Sequence, residues 1–129
     1  MLGLHQAVVI TTAAKGIVHT GSGTVTQASN HATGVTLDTT SGVITLAAVA
    51  LAATTNAQFV LTNSTIQAEA VILLTMQDNN TTDNKQLACA LVAVADGSCT
   101  ISIVNPHSAT STSEHASKIH FLVINPAIS

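Results

Sequence analysis

The sequence predicts an all-β chain, an antiparallel β-sandwich or jelly roll of about eight strands with a short N-terminal arm. Three observations predict it. Val and Thr alternate in short runs, most clearly over Ser22 to Leu46, SGTVTQASNHATGVTLDTTSGVITL, where Gly23, Gly34 and Gly42 each open a segment carrying a β-branched pair. Clusters of Gly, Asn, Asp and Ser punctuate these runs with turn signals. Helical periodicity is scarce, and no repeat is long enough to build a solenoid.

The elements follow in chain order. Residues 1–21 hold an apolar patch, Ala7-Val8-Val9-Ile10, and read as a first strand or as an arm docked on a neighbour; residues 22–129 form the sandwich domain. The three glycine-opened segments read as a β-meander, with Asp38 to Gly42 as a turn. Ala47 to Ala53 suits one or two helical turns, since alanine is the best helix former, or else a tightly packed connection between sheets. Ala57 to Asn63 reads as a strand, and Ala70 to Met76 as a nearly fully buried one. The polar segments 64–69, 77–85 and 105–117 read as loops. Asp96-Gly97 signals a two-residue hairpin between Gln86–Val94 and Ser98–Val104, and Lys118 to Asn125 is a closing strand stopped by Pro126.

That hairpin register sets Cys99 opposite Val94. Cys89 then falls five residues along the strand on the other face, roughly 16 Å away and beyond disulfide reach. Both cysteines read as small buried thiols, which fits folding in a reducing cytoplasm.

Composition narrows the function classes. Hydrophobic residues make up 47% of the chain and charged residues 7%, against about 25% charged on an ordinary soluble surface. Phe59 and Phe121 stand without any Trp or Tyr, so Ala, Val and Thr must build the core. Such a domain gains from burying more surface against copies of itself, and an obligate oligomer or assembly component is expected. Lys15, Lys85 and Lys118 are the basic residues, there is no Arg, and the formal charge is −3. Phosphate contacts need clustered Lys or Arg, so nucleic acid is not an expected partner. The apolar run Leu46 to Ala53 is far short of the ~20 residues of a membrane helix. The start of the chain lacks the basic region of a secretory signal, so neither membrane nor export is expected.

No catalytic or metal constellation stands out. The six histidines, His5, His19, His31, His107, His115 and His120, show no HxH or HxxxH spacing, and the cysteines form no CxxC. His107 and His115 share a loop and are near enough to converge about a three-fold axis, but surface or interface positions account for the histidines. Asp38 and Asp96 have turn roles. Asp78 and Asp83 lie in an Asn-rich loop whose spacing departs from a calcium-binding EF-hand and lacks its final Glu. No serine sits in GxSxG, and no aromatic platform for a sugar exists. The chain is expected to be no enzyme and to hold no cofactor and no metal.

One resemblance spans Gly23 to Ile124. The ordered series Gly23-Thr24-Val25-Thr26-Gln27, Gly34-Val35-Thr36-Leu37, Ser41 to Leu46, Ala50 to Ala53, Phe59 to Ile66, Asp96 to Ile101 and Phe121 to Asn125 resembles a small β-domain of tailed-bacteriophage virion proteins. The resemblance implies a structural part of a phage particle, without enzyme activity and without catalytic residues to transfer. No coiled-coil shaft accompanies the domain, which favours a small protein seated directly on the particle over a long fibre.

The expectation that follows is a capsid decoration (cement) protein, a homotrimer on the surface of the virion, assembled in the host cytoplasm and partnered by the major capsid protein or another virion protein. Leu2, Leu4, Val8, Val9, Ile10 and Ile17 would form the capsid-contact arm, and Asp78, Asp83, His107 and His115 would make exposed-loop contacts. The alternative is a short head- or tail-fibre tip whose loops bind a host surface glycan or receptor.

Overall fold

The computed structural model describes residues 18–80, 86–108 and 115–126. The expected arm, with Leu2, Leu4, Val8, Val9, Ile10 and Ile17, lies outside those residues, and so does Asp83. The strands are β1 (Ser22–Thr26), β2 (Val35–Thr36), β3 (Ser41–Thr45), β4 (Asn56–Thr62), β5 (Val71–Gln77), β6 (Ala88–Ala95), β7 (Ser98–Val104) and β8 (Lys118–Ile124). They form two four-stranded sheets ordered β1-β3-β8-β5 and β2-β4-β7-β6. The all-β sandwich expected from the sequence is the fold found.

Period-two alternation builds the core. Ile44 on β3, Ile119, Phe121 and Val123 on β8 and Ile72 on β5 meet Phe59 and Leu61 on β4 and Cys99, Ile101 and Ile103 on β7. Ile44, Leu61, Ile101, Ile103 and Ile119 are wholly buried, each side chain contributing about 1.5–3 kcal/mol by leaving water. One phenylalanine comes from each sheet, and branched aliphatic residues fill the remaining space.

Several expectations change in the structure. The segments of Ser22–Leu46 do not form a meander: β1 pairs with β3 in parallel, and β2 joins the other sheet, where it pairs in parallel with β4. The sandwich is therefore mixed rather than purely antiparallel. The chain crosses to the second sheet through β2 and returns to its starting end, so β3 must run in the direction of β1. Residues 47–53 contain no helix and connect β3 to β4 across the two sheets. β5 is not buried on both faces. It is an edge strand, and Val71 and Leu73 on its outer face are 53% and 51% exposed.

The hairpin pairs Val94 with Cys99 as the Asp96-Gly97 signal predicts, and Gly97 takes a left-handed φ of 80°. Cys89, however, faces the core opposite Ile103, on the same face as Val94. A bulge between Leu91 and Ala93 inserts one residue and restores the phase. Both cysteines are free thiols.

The two ends of the sandwich differ. At one end Asn63, wholly buried, donates through Nδ2 to the Thr39 carbonyl at 2.7 Å, and Asn125 Nδ2 donates to the Thr65 carbonyl at 2.7 Å. The aspartates expected to serve only their own turns reach across here: Asp38 Oδ1 accepts the Ser64 amide and Asp96 Oδ1 the Ala68 amide, each at 2.8 Å. His19, near the start of the described chain, contacts Thr40 and Ser41 at the same end. β1 therefore begins, and β8 ends, at this pole. The described residues of segments 27–33, 46–55, 78–80, 86–87, 105–108 and 115–117 gather at the opposite, loop pole, beyond the row Thr26, Thr45, Lys118 and Gln77.

Candidate functional site

The loop pole holds the densest polar cluster described, and its centre is Asp78. The residue follows directly on β5, so the strand delivers its side chain to Asn80, Leu87, His115 and Ser117. Oδ1 accepts the Asn80 amide at 2.8 Å, the Ser117 hydroxyl at 3.1 Å and His115 Nε2 at 2.6 Å. Oδ2 accepts the Leu87 amide at 2.6 Å. One carboxylate thus ties together both ends of segment 78–87 and the segment that leads into β8. Burial pushes the Asp78 pKa up, but the Leu87 and Asn80 amides and His115 outweigh it and hold the carboxyl below its ordinary value. An ionised carboxylate can only accept, so His115 Nε2 carries the proton in this pair.

His31 lies beneath the same cluster and is 3% exposed. Burial lowers its pKa; its bond to the Ala47 carbonyl opposes this, and positive charge on His115 lowers it further. Its Nε2 has no hydrogen-bond partner. Gln27, equally buried, fastens the loop around it: Nε2 donates to the His31 and Thr33 carbonyls at 3.2 and 2.9 Å, and Oε1 accepts the Ala47 amide at 3.2 Å. Asn105 does the same for the neighbouring segments. Its Nδ2 donates to the Leu51 and Ala52 carbonyls at 2.9 and 3.1 Å, and its Oδ1 accepts the His107 amide at 3.0 Å.

Ser117, His115 and Asp78 are the residue types of a hydrolytic triad, and their geometry is not that of one. In a triad the imidazole stands between serine and carboxylate and takes the serine proton. Here the Ser117 hydroxyl and His115 Nε2 both donate to the same Asp78 oxygen, and Ser117 is wholly buried. No nucleophile is presented. Among the described residues no group of three His, Cys, Asp or Glu is arranged to hold a metal ion. Burial raises the pKa of Cys89 and pushes that of Cys99 up to about 11, so neither offers a thiolate at neutral pH.

Of the residues expected to make exposed-loop contacts, the structure brings Asp78 and His115 together and turns both inward; their side chains are 5% and 15% exposed. Desolvation on this scale is tolerated because both carboxylate oxygens accept hydrogen bonds, three at Oδ1 and one at Oδ2. His107 is half-buried and its carbonyl accepts the Thr54 amide at 3.0 Å. His31 is no surface histidine. Ser117, Gln27 and Asn105 were not singled out by their sequence context, although Asn105-Pro106 carries the signature of the side-chain-to-backbone turn that Asn105 makes.

The arrangement fastens the described residues at the bases of these segments. Comparisons with protein-family models, with curated proteins and with solved structures found no match for this chain.

Proposed function

We propose that this chain is a structural component of a tailed-phage particle, a capsid decoration protein that binds over junctions between capsid subunits. The observation that carries the reading is the separation of the two poles. β1 begins and β8 ends at the pole marked by Thr40, Ser41 and Asn125, whereas Asp78, Gln27 and Asn105 fasten the described loop bases at the other. An arm that grips the capsid through Leu2, Leu4, Val8, Val9, Ile10 and Ile17 would then hold the domain with its loops directed outward. The low charge and small side chains suit close, dry packing against protein.

The test is copy number in purified particles, measured by quantitative mass spectrometry against the major capsid subunit. A ratio near that of the capsid subunit is the expected result, and absence from particles overturns the reading. Deleting residues 1–16 should release the protein from particles and leave the sandwich folded. The outward loop pole also suits a second reading, a short fibre tip that touches a host surface glycan. A few copies per particle, with adsorption lost on Asp83→Ala or His107→Ala, would establish that reading instead.

A further inference from the structure

The two lateral sides of the sandwich are unlike. On one side the edge strands are β1, five residues of sequence SGTVT, and β2, only two residues. On the other they are β5, VILLTMQ, and β6, ACALVAVA, which lie against each other and carry no charge and no proline. Among the described residues, every exposed large apolar side chain except Val18 and Val60 belongs to this side: Val71, Leu73, Leu91 and Val92, with Ile124 paired to Val71. A long apolar edge with its backbone N–H and C=O groups unpaired is a template for another strand. β6 is guarded by the bulge at Leu91/Ala93, which bends the strand and interrupts its ladder. Among the described residues β5 has no such guard: its pairing with β8 runs without interruption from Val71 to Gln77.

We propose that β5 is the contact edge of a two-fold dimer, pairing antiparallel with β5 of a second copy. Charge and area favour this occupant. An uncharged edge meets its own copy without repulsion, and a two-fold axis sets the apolar β5/β6 side against itself. A ring built head to tail would instead set β5 against β1, whose exposed positions are Ser22, Thr24 and Thr26, and would set Leu91 and Val92 of β6 beside the two-residue β2. Seven residues span about 23 Å, and two sheets about 10 Å apart with their side chains make the side roughly 20–25 Å high. The contact is then on the order of 500 Å² per copy, or about 1,000 Å² in all, where specific interfaces begin. The dimer contact does not depend on what the dimer is attached to.

Light scattering on the full-length chain tests it. The expected mass is twice the 13.0 kDa of one chain. Leu73→Lys, on the outer face of β5, should reduce the mass to one chain with an unchanged far-ultraviolet CD spectrum. Val60→Lys, on the exposed face of β4 and away from this side, should leave the dimer intact. A monomeric or trimeric wild-type chain, or a dimer that survives Leu73→Lys, overturns the proposal. Should Leu73→Lys fail to fold, amide exchange of the wild-type chain decides. β5 amides protected at high concentration should exchange at least tenfold faster on dilution below dissociation. Protection that does not change on dilution means that the chain covers its own edge, and also overturns the proposal.

Discussion

The amide of Leu87 donates to Oδ2 of Asp78 at 2.6 Å, joining two residues nine positions apart in the chain by one hydrogen bond to a charged acceptor. Bonds of this kind are roughly twice as strong as neutral ones. The same carboxylate accepts from Asn80, His115 and Ser117, so its removal strands several donors at once. Asp78→Ala should lower the unfolding free energy by about 2–4 kcal/mol, since each buried unsatisfied donor costs about 1–3 kcal/mol and water recovers part of it. Asp78→Asn should cost nearly as much, because its NH₂ faces groups that themselves donate. Urea denaturation measures both, and hydrogen exchange should locate the largest loss of protection at the Leu87 amide.

Acid should weaken the fold in two stages. His31 has its folded pKa below the ordinary 6.5, so the unfolded chain takes up a proton that the native chain refuses. Its contribution is complete above about pH 6.5 and declines as pH falls toward the folded value, with a slope of at most about 1.4 kcal/mol per pH unit. Asp78 is also depressed, below 3.8, so its contribution holds above that value and disappears as pH falls through the folded one. Protonated His31 would be repelled by positive charge on His115. His31→Asn, which keeps a donor for the Ala47 carbonyl, should abolish the first stage and spare the second. Urea midpoints measured from pH 8 to 3 give the profile.

What was legible in the sequence was local. Alternation in Ser98–Val104 and Lys118–Ile124 marks strands because period two is a property of neighbouring residues. Asp96-Gly97 marks its hairpin for the same reason. The parallel pairing of β1 with β3 was hidden, because it depends on where β2 goes. The bulge that turns Cys89 inward leaves no mark in a run of Ala, Leu and Val. The Asp78 cluster joins residues up to 39 positions apart, and nothing in the sequence around Asp78 says that Ser117 will reach it. A loop aspartate that binds solvent and one that closes two loops have the same neighbours in the chain.

The thiols supply an internal probe of global opening. Cys99 is 2% exposed, and burial pushes its pKa up to about 11. The thiolate is the reactive form, so Cys99 in the native chain should be nearly inert to a disulfide reagent at pH 8. Its reaction should require unfolding and should accelerate at least tenfold in Asp78→Ala. Cys89, half-buried on the edge strand β6, should react first. Rapid labelling of Cys99 in the unaltered chain would contradict its burial.

Gly42 and Gly23 face each other across the β1–β3 pair, and Leu37 covers both. A Cβ on Gly42 would lie 2.8 Å from the Gly23 carbonyl oxygen, 2.9 Å from the Phe121 ring and 2.7 Å from Leu37. Leu37 can swing away, but the backbone oxygen and the packed ring cannot, so the strand pair must separate. A Cβ on Gly23 meets only side chains, with Leu37 Cδ1 nearest at 2.8 Å. Gly97 has open space around it and a φ of 80°, so alanine there costs only backbone strain. Gly42→Ala should therefore lose about 2–3 kcal/mol, in the range of overpacked cores, and Gly97→Ala about 1 kcal/mol. Gly23→Ala should fall below Gly42→Ala, and urea midpoints of the three variants give the order. Equal losses at Gly42 and Gly23 would mean that Leu37, rather than the approach of the two strands, sets the need for glycine.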